Sequence, residues 1–218
     1  MLVIHFVCPL RGLPRAAPFT GSHRRTVLSM LPVARMPSSG DQGAGAAGVL
    51  ILGIDPGLTR CGYAALEATG STTARAVALG VVRTAAADPL PSRLAELRGE
   101  LAALIAELRP DVVAVEHVFF QVNVRTAMSV GQASGLALAE AAAAGCQVVQ
   151  YTPNQVKEAV TGWGAAGKEQ VQRMVQVRLG LSSPPRPADA ADAAALALCH
   201  LAMAPMRRSV AAATGARR

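Results

Sequence analysis

Aromatic residues make up only 3% of this chain, lysine occurs twice among 21 basic residues, and acids number 14 in 218 positions. The four cysteines, Cys8, Cys61, Cys146 and Cys199, form no Cys-x-x-Cys pair and no zinc-type Cys/His spacing. That excludes a disulfide scaffold and a zinc ribbon, and predicts a reduced, cytoplasmic chain. No uncharged apolar run approaches membrane length. The apolar opening, residues 1–10, has no basic residue ahead of it and is broken by His5 and Pro9, so neither a signal peptide nor a membrane span fits. What is present is a hydrophobic fraction of 51% against 16% charge, enough for one core of ordinary size.

The formal charge of +7 lies at the ends. Residues 1–46 carry five Arg and one Asp, residues 207–218 carry four Arg and no acid, and residues 47–206 are nearly neutral. Any DNA-binding face on the body must therefore come from segregated charge. Residues 11–48, rich in Pro, Ser, Gly and Arg without periodicity, read as irregular. A transit peptide or a start placed upstream of Met30 or Met36 would share that composition. The expected organisation is a disordered or mis-annotated extension over 1–46, one domain over 47–206 and a basic disordered tail over 207–218.

Order begins with the short apolar run 49–54, and residues 61–66 and 74–82 read as two further strands. Apolar residues at 90, 94, 97, 101, 104, 105 and 108 form a helical stripe stopped by Pro110. Residues 111–116 read as a buried strand, 126–144 as an Ala-rich helix ended by Gly145, and 147–151 as a fifth strand. Helices are then expected over 153–161, 168–179 and from 187 to about 203. Three consecutive strands followed by α/β alternation predict an α/β fold, a five-stranded mixed sheet with helices on both faces.

With acids so few, their placement carries information. Asp55 directly follows the first buried run and Glu116 the fourth. On neighbouring parallel strands, about 4.8 Å apart, both carboxylates would leave the carboxyl edge of the sheet, where α/β proteins place their sites. Pro187 marks a helix start, and Asp189 and Asp192, at i,i+3 spacing, share one face of its first turn. Each acid alone has an ordinary explanation as a turn residue, a solvated side chain or a helix-dipole partner. Together, four clustered carboxylates need a counter-charge, and oxygen-only ligands select Mg²⁺ or Mn²⁺ over zinc.

These residues resemble the RuvC family of Holliday-junction resolvases, within the ribonuclease-H-like superfamily. The match runs through 52–62 (LGIDPGLTRCG), 115–120 (VEHVFF), 131–135 (GQASG), 152–160 (TPNQVKEAV), 167–171 (GKEQV) and 188–193 (ADAADA), covering about residues 49–204. The resemblance implies a ribonuclease-H-like sheet and a structure-selective, Mg²⁺-dependent endonuclease that resolves four-way DNA junctions. It implies two Mg²⁺ per active site, replaceable by Mn²⁺, held by catalytic Asp55, Glu116, Asp189 and Asp192. Lys157 and Lys168 fall on the family's DNA-contacting lysines, and Phe119 on its junction-probing aromatic. Phe120 is either a second stacking residue or a packed one, so which of the two touches DNA stays open. Gln121, Asn123 and Arg125 stand where further DNA contacts are expected. A homodimer, 5′-phosphate products and partnership with a branch-migration complex of RuvA and RuvB type proteins are also implied, in recombination and repair.

Two other motifs fail on their context. Residues 162–168 (GWGAAGK) fit a P-loop, but Glu169 stands where Ser or Thr would bind Mg²⁺, and a helix precedes it where a strand is required. Residues 53–57 (GIDPG) are similar to the first phosphate loop of actin-like kinases, which need a longer chain with a second loop. His117 and His200 read as packed or capping residues. The competing functions are a ribosomal-RNA-processing nuclease of related fold and a junction binder without catalysis. The first lacks the Phe119 loop, and a pure polyanion binder would not gather acids where phosphate must lie.

Overall fold

The computed structural model describes residues 26–27, 48–117 and 124–215, with side chains over 48–117 and 127–205. The elements run β1 (Thr26–Val27), β2 (Leu50–Asp55), β3 (Arg60–Ala68), β4 (Ala74–Arg83), α1 (Leu90–Leu108), β5 (Val112–Glu116), α2 (Val124–Ala143), β6 (Gln147–Tyr151), α3 (Pro153–Thr161), α4 (Lys168–Arg178) and α5 (Ala188–Gly215). All five expected strands form one mixed sheet. The spatial order is β1-β4-β3-β2-β5-β6, with β2, β3 and β4 antiparallel and β2, β5 and β6 parallel.

Two differences from the sequence expectation concern the ends. Thr26–Val27, inside the stretch read as irregular, pairs with Val81 and Gly80 as a two-residue outer strand. A strand that short leaves no periodicity to read. The last helix was expected to end near residue 203, with 207–218 a disordered tail. Helical backbone instead runs to Gly215, passing through Pro205. Proline normally removes a helix hydrogen bond and crowds the carbonyl four residues earlier, so it reads as a stop.

The sheet separates two cores. On one face α1 and α2 cover Leu52, Ile54, Tyr63, Val113 and Val115. On the other, α3, α4 and α5 cover Ile51, Ala64, Leu66, Ala114 and Val149. Helix α5 lies directly on β2 and β3, its residues 193–199 completely or almost completely buried. Alanine is frequent there because the helix backbone comes very close to the sheet at two points. A Cβ on Gly53 would stand 2.0 Å from the Ala193 carbonyl oxygen, and one on Gly62 would stand 2.1 Å from that of Asp189. The two glycines therefore set the height of the helix above the sheet.

The remaining cysteine expectation holds for the described residues: Cys61, Cys146 and Cys199 are free thiols. Burial pushes Cys61 and Cys199 up to about 12, which makes them packing residues without thiolate chemistry. Among the described residues no helix is long and apolar enough to cross a membrane.

Candidate active site

Sheet register assembles the acids. In the β2–β5 ladder Ile54 pairs with Val115, which brings the next residues, Asp55 and Glu116, level on adjacent parallel strands. Asp55 also stands opposite Gly62 on β3. Side chains at one level point the same way, so Asp55, Glu116 and the bare Gly62 all face α5. Because Gly62 lets the Asp189 backbone settle upon it, the first turn of α5 carries Asp189 and Asp192 towards the two strand-end carboxylates.

The loop after Asp55 is tied down by side chains. The buried Thr84 hydroxyl donates to the Leu58 carbonyl at 2.6 Å, and Arg93 reaches both Thr84 Oγ1 at 3.0 Å and Thr59 Oγ1 at 2.6 Å. Helix α3 is held at its start by a reciprocal cap between Thr152 and Gln155. Lys157 on α3, Lys168 at the start of α4, Asp55, Glu116 and Asp192 line one cleft of about 350 Å³. Larger hollows of about 730 and 700 Å³ open around Asp111, which begins β5 at the opposite end of the sheet, and gather no comparable set of acids. Asp111 serves the fold there, its carboxylate accepting from the Leu50 N–H at 2.7 Å.

Charge in the cleft is unbalanced. Asp55 is raised to about 7, first by burial and then by repulsion from Glu116, Asp192 and Asp189, with Lys168 only partly opposing. Glu116 is also raised, by burial and then by Asp192. Two basic side chains lean in. Lys168 Nζ donates to Asp192 Oδ2 at 2.7 Å, a contact that raises the lysine further. Arg60 donates to Asp189 Oδ2 through Nε at 2.9 Å and a terminal nitrogen at 2.5 Å.

The donor set suits a hard divalent cation: four carboxylates, no sulfur or imidazole among them. The raised Asp55 is the physical sign that positive charge is wanted beside it. As the side chains stand, no group of three or more His, Cys, Asp or Glu among the described residues is arranged to hold an ion. Asp189 and Asp192 are turned to Arg60 and Lys168 instead. The acids fit as a ligand set once those two partners are exchanged for cations.

Thus Asp55, Glu116, Asp192, Lys157 and Lys168 share the cleft, and Asp189, bonded to Arg60, is near enough to repel the Asp55 carboxylate. Phe119, Phe120, Gln121 and Asn123 lie outside the described residues, as does the side chain of Arg125 in the first turn of α2. The sequence reading missed Arg60. Its signal was a lone Arg at the start of β3, five residues after Asp55, but its partner lies 129 residues away, beyond any local pattern. His200 is a packing residue as expected, its Nδ1 2.8 Å from the buried Tyr151 hydroxyl.

A mixed sheet with acids at the carboxyl ends of adjacent parallel strands, faced by acids on a packed helix, is an architecture of the ribonuclease-H-like class. The family model "Crossover junction endodeoxyribonuclease RuvC" matches residues 51–200, and the chain belongs to that family. A crossover junction endodeoxyribonuclease RuvC from Salinispora arenicola is 55% identical over 163 residues, covering 75% of this chain and 93% of the relative. The structure of Thermus thermophilus RuvC in complex with Holliday junction substrate is 39% identical, with a TM-score of 0.69 over 72% of this chain and 96% of that one. The yeast mitochondrial Holliday junction resolvase, at 15% identity and a TM-score of 0.55 over 72% of this chain and 79% of that one, shares the fold alone.

Proposed function

We infer that the protein is a structure-selective endonuclease resolving four-way DNA junctions, its phosphodiester hydrolysis carried by Asp55, Glu116, Asp189 and Asp192. The observation that carries this is the level pairing of Asp55 and Glu116 under the first turn of α5, in one cleft with two lysines. The family membership of residues 51–200 supports the same reading. Two Mg²⁺, or Mn²⁺ in their place, would lie between the four carboxylates, where such ions polarise the phosphodiester and supply both nucleophile and leaving-group stabilisation.

The chain's own groups do the rest. The strand ends and the α5 turn hold four oxygen donors on a rigid frame, so little reorganisation accompanies reaction. Glycines 53 and 62 keep that turn in place. Lys157 and Lys168 bring two positive charges to the cleft wall, drawing the DNA backbone against acids that would otherwise repel it. Arg60 and Lys168, the partners of Asp189 and Asp192, would offer further positive charge to phosphate oxygens beside a cation held by those acids.

Paired cutting of two opposed strands needs two sites related by a two-fold axis, hence a homodimer. Cleavage leaving 5′-phosphate ends, action in the cytoplasm during recombination and repair, and operation beside a branch-migration complex complete the reading. The test is purified protein on a synthetic four-way junction, a duplex and an RNA hairpin. Junction cleavage with Mg²⁺ or Mn²⁺ is expected, and none with Ca²⁺, whose bonds are longer and geometry looser. Full activity in chelator, or preferential cutting of the RNA hairpin, would overturn it.

A further inference from the structure

We propose that Trp163 is a DNA contact, its indole stacking on a nucleobase left unstacked at the branch point of the junction. The proposal rests on the junction-cutting reading and adds to it a binding residue in the connection between α3 and α4, beside residues that line the cleft.

Trp163 is the only tryptophan of the chain, and it is 59% exposed. Its position is not accidental to the cleft. It lies in the short connection between α3 and α4, with cleft-lining Lys157 before it and cleft-lining Ala166, Gly167 and Lys168 after it.

The backbone beneath it is firmly held. Gly162 caps α3 in the left-handed region, φ 79°, its N–H donating to Glu158 at 2.8 Å. The Trp163 N–H donates to the Thr161 hydroxyl at 3.2 Å, and the Trp163 carbonyl accepts from the Ala166 N–H at 3.1 Å. Ala166 is itself buried in the core beneath α3 and α4. A rigid turn thus displays a large apolar ring, flanked by Gly162 and Gly164, neither of which has a side chain to cover it. A preset ring loses little freedom on contact, and every nucleobase offers it a flat apolar face.

The neighbouring charges choose the ligand. Lys157 and Lys168, before and after this connection in the chain, would attract backbone phosphates to the cleft, which brings nucleotides of the bound DNA near the ring. A continuous duplex offers a stacking face only at its ends, whereas a branch point interrupts stacking in four arms. Discrimination between junction and duplex is therefore built into the contact.

As the single tryptophan, Trp163 reports on itself. Wild-type protein in chelator, which prevents cutting, is titrated with a four-way junction and with duplex of equal length. Indole fluorescence is read together with the anisotropy of labelled DNA. The junction is expected to quench Trp163 in step with binding, and duplex much less. Trp163→Ala should weaken junction binding roughly tenfold while leaving duplex binding nearly unchanged, and Trp163→Phe should restore most of the loss. Junction binding without any change in fluorescence would overturn the proposal, as would equal quenching by both DNAs. A fluorescence change that tracks protein concentration without DNA would also overturn it, assigning the ring to a contact between copies. Failure to bind junction at all would instead bring down the functional reading beneath it.

Discussion

Asp55 is the residue whose environment makes the strongest demand. Folding takes its carboxyl from 3.8 to about 7, so the folded protein holds a proton that the unfolded chain gives up. A group with a raised folded value favours folding relatively more at low pH, and that advantage is lost as pH climbs from about 4 to 7. In chelator, Asp55→Asn should therefore raise the melting temperature at pH 8 and hardly change it at pH 4. The shift corresponds to a few kcal/mol at most, since about 1.4 kcal/mol accompanies each pKa unit. Melting curves across pH check this; equal effects at both ends would mean that the Asp55 charge is already compensated. Added Mg²⁺ should stabilise the wild type more than the variant, because an ion binding only the folded state adds to its stability.

The two cleft lysines, as proposed DNA contacts, call for a different measurement. Each removed phosphate contact should lower the salt dependence of binding by about one unit of log–log slope. Lys157→Ala and Lys168→Ala should each show this on junction. Lys168→Ala should in addition disturb the metal-free cleft, because Lys168 is the partner of Asp192 and Lys157 has no such bond to an acid of the set. Binding isotherms over a salt series, with melting curves in chelator, separate the two roles.

At the scale of elements, the site depends on how closely α5 approaches the sheet. Gly62→Ala would drive a methyl into the Asp189 carbonyl, and Gly53→Ala one into Ala193 a turn further along. Overpacking of this kind typically costs about 1–3 kcal/mol. Both variants should melt earlier, but Gly62→Ala should lose far more cleavage than its stability explains, because the displaced turn carries the acids. Denaturation midpoints beside junction cleavage rates check this, and a proportional loss in both would show that α5 moves as one rigid rod. The elements themselves were legible: α1, β6 and α3 begin and end where stripe, strand run and Pro153 indicate. The strand-end acids and the i,i+3 pair were legible too, because each obeys a local rule. The ion pairs that occupy them were not, since Arg60 meets Asp189 across 129 residues and Lys168 meets Asp192 across 24. Nor was the reach of α5, because Pro205 carries the same local signal whether a helix stops or continues.

The whole molecule joins a nearly neutral body to basic ends. Thr26–Val27 adds two residues to the outer edge beside β4, on the side of the sheet away from β5 and the acids. Among the residues whose side chains are described, those of α5 that are buried lie between Ala190 and Leu201. A chain of residues 47–206 should therefore fold, dimerise and cut junctions at the same positions, since it keeps every acid, both lysines and the full central sheet. Its formal charge is slightly negative, but four of its acids are the proposed cation ligands, and with those neutralised a basic cleft wall would remain. Affinity for plain duplex should fall, because the Arg-rich ends supply mainly non-specific, salt-sensitive attraction. The comparison is full-length against trimmed chain, on junction and duplex, over a salt series. If trimming abolished junction cleavage while fold and dimer survived, the Arg-rich ends would belong to the site, and recognition could not be assigned to the body alone.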